Sequence, residues 1–243
     1  MSGVTCRRGL IVLLAALLAV ALTARLGIWQ LDRAAQKRAL QAAIDARGAQ
    51  APLAATELDA AAEASQLHRR VRLRGHWLAE RTVFLDNRPM DGRFGFYIVT
   101  PLRLEGRAEA ILVQRGWLPR NAQDRSRLPA LATPAGTVEI EGRLIAAPSR
   151  LYEFEASASG PIRQNLGAAA YAQETGQPLL PLTVLQTGPA GGEDGQLLRD
   201  WQPPDLGLQK HYGYAFQWFA LSALFLGLYV WFQLIRPRRR AAA

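Results

Sequence analysis

Two apolar segments, residues 9–29 (GLIVLLAALLAVALTARLGIW) and 215–235 (AFQWFALSALFLGLYVWFQLI), constrain this chain more than any other feature. At 1.5 Å per residue, 21 helical residues span about 30 Å, the thickness of a bilayer's hydrocarbon core. The second segment carries no charge and has Trp218 and Phe219 near one end, Trp231 and Phe232 near the other. Aromatic rings gather at both membrane interfaces in this way. Arg236 and the run Arg238, Arg239, Arg240 follow it and stop transfer. A buried core helix is the competing reading, and the length with its basic tail opposes it. The first segment has an apolar heart from Leu10 to Leu22, with Arg25 and Trp29 both near its C-terminal end. Its competing reading is a cleaved signal peptide, with Arg7 and Arg8 as the basic region and Ala19-Val20-Ala21 as the cleavage motif. The uncleaved anchor is the expectation carried forward.

The formal net charge of +9 invites a nucleic-acid partner, but its distribution does not. Arg7, Arg8, Arg25, Arg236, Arg238, Arg239 and Arg240 flank the two apolar segments, leaving 22 basic against 20 acidic residues between them. Basic ends beside apolar spans follow the positive-inside rule, so no nucleic acid is expected and membrane lipid is. The rule puts both termini in the cytoplasm and the middle on the opposite side. The expected division is a cytoplasmic N-terminus (1–8), a first span (9–29), an extramembrane domain (30–214), a second span (215–235) and a basic cytoplasmic tail (236–243). With Cys6 as the one cysteine, a disulfide framework or multi-cysteine zinc site is excluded.

Between the spans, residues 31–47 (LDRAAQKRALQAAIDAR) are rich in helix formers and run up to Gly48. Residues 56–65 suggest a second short helix with Thr56 as N-cap. From His68 the period becomes two. Strands are predicted around Val71 and Leu73, over 82–85, over 96–100 ending at Pro101, from Ile111, around Val138 and Ile140, and over 181–186. Residues 165–175 look helical and stop at Gly176, residues 188–195 form a loop, and Pro203-Pro204 leads into the second span. The fold class is thus a membrane protein in which two transmembrane α-helices bracket an extramembrane α+β domain, mainly antiparallel β.

The chain carries no Gly-x-Ser-x-Gly elbow, His-Glu-x-x-His or Walker A loop, and no acid stands in a recognisable relation to a base. An enzyme is not expected. His68 and His76 flank a strand-like run and lie about 26 Å apart if extended, too far to share a metal. Asp86-Asn87-Arg88 and Arg115-Gly116-Trp117 have the composition of turns. A weaker alternative pairs Arg88 or Arg115 with a ligand's carboxylate or with an acidic partner.

Four blocks resemble the Surfeit locus protein 1 family of cytochrome c oxidase assembly factors. They are LGIWQLDRAAQKRAL (26–40), LDNRPMDGRFGFYIVTPL (85–102), ILVQRGWLPRN (111–121) and HYGYAFQWF (211–219), in family order between the two spans. The resemblance implies an assembly factor for haem–copper terminal oxidase. It would bind haem a and assist its insertion into oxidase subunit I, with haem a synthase as a further partner. Because eight residues precede the first apolar segment, too few for a mitochondrial presequence, a bacterial plasma-membrane member is expected, its domain periplasmic. Bacterial relatives carry a histidine and a tryptophan for haem binding that match His211 and Trp218, with His211 as axial iron ligand. If the helix already includes His211, then Ala215 and Trp218 share its face, and a macrocycle could lie against it. The alternative function is a cofactor-free membrane scaffold for subunit I. A membrane-anchored hydrolase is a third reading, for which the residues supply no nucleophile and base.

Overall fold

The structure is a computed structural model and describes residues 2–121, 123–124, 127–151, 160–188, 196–201 and 207–241. The loop expected at 188–195, apart from Gly188, and Pro203-Pro204 lie outside the described residues. The chain divides into a helical unit, residues 1–43 with 202–243, and a sheet unit, Ile44–Trp201.

In the helical unit the first apolar segment and residues 31–47 form one helix, α1 (Ser2–Gly48), rather than a span followed by a separate helix. No Gly-Pro pair or capping residue interrupts residues 29–31, so nothing local opposes continuation. The second is α4 (Leu208–Tyr229), continued by a π-helical stretch (Val230–Ile235) and α5 (Arg236–Ala241). Both helices are long and apolar enough to cross a membrane. Their outer faces are inverted relative to a water-soluble helix: Leu18 is 70% and Phe216 75% exposed. Side chains of this size belong in lipid, where exposure carries no hydration penalty. This is a two-span membrane protein with a central α+β domain.

The sheet unit holds β1 (Arg70–Trp77), β2 (Val83–Met90), β3 (Arg93–Leu104), β4 (Ala110–Pro119), β5 (Thr137–Ile145), β6 (Ile162–Arg163) and β7 (Leu179–Thr187). The short helices α2 (Glu63–Gln66) and α3 (Ala168–Thr175) complete it. The strand order is β1-β5-β7-β4-β3-β2-β6, antiparallel except for β4–β7 and β2–β6. One further pairing changes the architecture. β3 is long enough to take β2 along its first part and β1 along its last, through Gly75↔Leu104, His76↔Arg103 and Trp77↔Leu102. Strands β1, β5, β7, β4 and β3 therefore close into a ring. Period-two alternation turns Val71, Leu73, Leu102, Ile111, Val113, Leu144 and Val184 into one core. Burying each such side chain contributes roughly 1.5–3 kcal/mol. Tight closure needs Gly75, where a Cβ would stand 2.2 Å from the Arg103 carbonyl oxygen.

The single helix expected over 56–65 is instead two 3₁₀ turns (Ala55–Glu57, Ala60–Ala62) and α2. Long side chains take the backbone groups a helix would use. Gln66 donates to the Glu57 carbonyl (2.8 Å), and Arg107 donates to the carbonyls of Ala55 (3.0 Å) and Leu58 (2.6 Å). Asp59, not Thr56, does the capping, accepting the Ala61 N–H at 2.8 Å. Residues 165–167 precede α3, which ends at Gly176 with φ 64°, as the sequence predicts.

The two expected turns are corrected as well. Asp86-Asn87-Arg88 lies inside β2, where Asn87 takes φ 63° at a bulge between Leu85 and Arg88. The reversal comes later, at Asp91 (φ 49°) and Gly92 (φ 71°), the paired positive φ values of a two-residue hairpin turn. Arg115-Gly116-Trp117 lies inside β4, with a second bulge opposite Ile98 and Val99. Trp117 exchanges backbone hydrogen bonds with Leu198 (2.8 and 3.0 Å), and Gly116 leaves room for Leu197.

Candidate functional site

The helical unit is built on a seam. Along α1 the inward positions Val20, Thr23, Gly27, Gln30, Ala34 and Lys37 recur at alternating spacings of three and four. Along α4 the matching positions are His211, Ala215, Trp218, Ser222 and Phe225. Such a repeat keeps one narrow stripe facing a partner helix. The contacts run antiparallel: Gln30 meets His211, Gly27 meets Phe219, and the Ser222 hydroxyl donates to the Val20 carbonyl at 3.3 Å. Gly27 sets the distance, since a Cβ there would come within 2.8 Å of the Phe219 ring. Thr23 returns its hydroxyl to the Ala19 carbonyl (2.8 Å), so its polarity is satisfied within α1.

His211 stands in the first turn of α4, so the helix does include it, as the face argument required. Its Nδ1 lies 2.7 Å from Gln30 Oε1, across the seam. Trp218 is on the same face, half-buried and about 10 Å further along the axis. Ala215, between them, is 2% exposed. It sits between the Gln30–His211 and Gly27–Phe219 contacts, so α1 covers it. The stretch of α4 between His211 and Trp218 is thus covered, while the His211 and Trp218 side chains themselves stay half-buried. Around the site, the Arg38 guanidinium stacks over Tyr212 and that of Arg33 over Trp29, each at 5.5 Å. A groove of about 560 Å³ on α1 is lined by Ala21, Ala24, Arg25, Ile28, Trp29 and Asp32 among others; neither His211 nor Trp218 lines it.

An amide oxygen only accepts hydrogen bonds, so with this orientation the Nδ1–H of His211 donates to Gln30. The Nε2 lone pair is then the metal-ligating position of a neutral imidazole. The donor chemistry of the site therefore fits an axial haem ligand. Gln30 was missed in the sequence reading. It lies in the first resemblance block, yet nothing local pairs it with a residue 181 positions away.

The other candidates are elsewhere, in the sheet unit. Arg88 and Arg115 are 1% and 0% exposed. Arg88 donates to the Ser149 hydroxyl (3.2 Å) and to the Gln164 carbonyl. Arg115 stacks over Trp77 at 4.6 Å and donates to Thr133 Oγ1 (2.9 Å) and the Ala132 carbonyl (3.1 Å). Both guanidinium groups are turned inward and bonded within the sheet unit, so they serve the fold and neither is exposed to pair with a ligand's carboxylate. His76 sits in β1 with Nε2 3.3 Å from Thr137 Oγ1. His68 precedes β1 at φ 69°, its backbone N–H donating to the Leu144 carbonyl (2.9 Å). Burial, then Arg143 and Arg47, lower its pKa below 6.5. Among the described residues no three His, Cys, Asp or Glu side chains gather as a metal site. The Cys6 side chain lies outside the described ones.

A SURF1-like protein of Drosophila melanogaster is 27% identical over 244 aligned residues, 91% of this chain and 77% of that protein. A SURF1-like protein of Monosiga brevicollis is 25% identical over 223 residues, 84% of this chain and 81% of its own. The cytochrome oxidase assembly protein SHY1 of Saccharomyces cerevisiae is 29% identical over 112 residues, 45% of this chain and 29% of SHY1. The SURF1 family model matches residues 17–223, from within α1, through the whole sheet unit, into α4. With most of α1, the whole sheet unit and most of α4 inside one family match, the chain belongs to the SURF1 family.

Proposed function

We propose that this protein is an assembly factor for a haem–copper terminal oxidase, binding haem a through His211 and Trp218 and assisting its insertion into subunit I. The observation that carries the reading is His211 itself, an imidazole in the first turn of a membrane-capable helix with Nδ1 engaged across the seam. The likeness to SHY1 supports the oxidase-assembly part. His211 would supply an imidazole nitrogen to the iron of a bound haem a. The chain's own work is to hold His211 at the interface, to offer the Trp218 indole beside it and to anchor both in lipid. It acts by holding and presenting a cofactor, not by catalysing a reaction.

In this reading the protein sits in a bacterial plasma membrane, and the basic flanks Arg7, Arg236 and Arg238 support both termini on its cytoplasmic side with the sheet unit periplasmic. Haem a synthase upstream and subunit I downstream are the implied partners.

The test is spectroscopic. The full chain, co-expressed with haem a synthase and purified in detergent, is expected to show a haem a Soret band that His211→Ala removes or shifts. An unchanged band refutes the ligand assignment. If deletion of the gene abolishes oxidase maturation while His211→Ala restores it fully, the cofactor-free scaffold is the correct function.

A further inference from the structure

We propose that Gln30 is a positioning residue for His211: its side-chain oxygen holds the imidazole in the tautomer that leaves Nε2 for iron. The inference rests on the reading of His211 as a haem ligand and assigns a second residue to that site.

The geometry is specific. Gln30 Oε1 and His211 Nδ1 are 2.7 Å apart, a short N–H···O hydrogen bond. Both side chains are half-buried on the seam and both backbones are helical, which limits the rotamers each can use. The contact is also held from outside. One turn below, Phe219 closes on Gly27, so α1 and α4 cannot draw apart there without losing that packing. In a neutral imidazole, a ring nitrogen that donates to a fixed oxygen leaves the other nitrogen unprotonated, and the bond sets the plane of the ring. Metal-ligating histidines are commonly oriented by such a partner, and its loss weakens metal binding 10–100-fold.

Direction matters, because a glutamine can be turned over. If Nε2 of Gln30 pointed at His211, Nδ1 would accept and the imidazole Nε2 would carry the proton, blocking iron. Glutamate separates the two, since an ionised carboxylate only accepts. The full chain in detergent, wild type and the variants Gln30→Leu, Gln30→Glu and His211→Ala, is titrated with haem a and followed by absorption spectroscopy.

Gln30→Leu is expected to bind haem a about 10–100-fold more weakly, with a displaced Soret band. Gln30→Glu is expected to hold affinity within a few-fold of wild type, with a lower reduction potential, because a carboxylate makes the imidazole a stronger donor. If His211→Ala loses the band while Gln30→Leu matches wild type in affinity and band position, the inference about Gln30 fails and the ligand reading stands. If both Gln30 variants lose binding equally, the acceptor role is overturned. If His211→Ala changes nothing, the ligand reading falls and takes the Gln30 role with it.

Discussion

Replacing Gly75 by alanine tests whether the sheet unit is a closed ring. The added methyl would stand 2.2 Å from the Arg103 carbonyl oxygen, 3.0 Å from its carbon and 3.1 Å from Leu102 Cγ. Ordinary contact between a carbon and a carbonyl oxygen begins near 3.3 Å, so β1 and β3 must separate by about 1 Å. Ladder hydrogen bonds near 2.9 Å would stretch to about 3.9 Å and cease to count. Overpacking of this kind costs about 1–3 kcal/mol, and losing two seam hydrogen bonds adds roughly 0.5–1.5 kcal/mol each. A working value of about 3 kcal/mol lowers Tm by roughly 6–12 °C in a domain of this size. Differential scanning calorimetry of the full chain in detergent measures it. Gly167→Ala is the control, since nothing lies within 4 Å of the Cβ it adds. If Gly75→Ala melts within a degree or two of that control, β1 and β3 are not paired at Gly75 and the ring is not closed there.

Three other outcomes follow from the sheet unit. Trp117→Phe removes the indole N–H that donates to the Arg88 carbonyl at 2.8 Å and leaves that carbonyl buried without the bond, so stability should fall by about 1–3 kcal/mol in denaturant titration. Arg115→Lys keeps the charge but loses the planar stack on Trp77 and the paired donation to residues 132 and 133. It should destabilise by about 2 kcal/mol while leaving the haem a spectrum unchanged; a spectral change with no loss of Tm would return Arg115 to the functional site. His68 has a folded pKa below its ordinary 6.5, so the unfolded chain binds the proton more readily and stability present above pH 6.5 is lost as pH falls through the folded pKa. His68→Asn, which tolerates the φ of 69°, should flatten the dependence of Tm on pH between about 7 and 5; an unaltered slope would show that another group carries it.

The strands were legible because alternation is local. Val71 and Leu73 between arginines announce an inward face whatever they pair with, and Gly176 announces a helix end. Residues 56–65 were not legible, because Arg107 and Gln66 claim the backbone from elsewhere in the fold. Asp86-Asn87-Arg88 misled for a related reason. Asn favours positive φ both in turns and at bulges, and only its partner strand distinguishes them. Of the candidate site, His211 and Trp218 could be named from helical spacing and a resemblance. That α1 covers Ala215 between them could not.

By itself the sequence determined that the chain has two bilayer-length helices around an alternating-strand domain. A lipid core requires some 20 apolar residues in succession, and a half-buried strand requires a period of two; both are conditions on neighbours along the chain. Tertiary structure alone decided that β3 serves two partners and closes a ring, that Arg88 and Arg115 turn inward, and that Gln30 reaches His211 across 181 residues. Those are conditions on neighbours in space. They depend on register and helix separation, which are set by contacts such as Gly75 on Arg103 and Gly27 on Phe219.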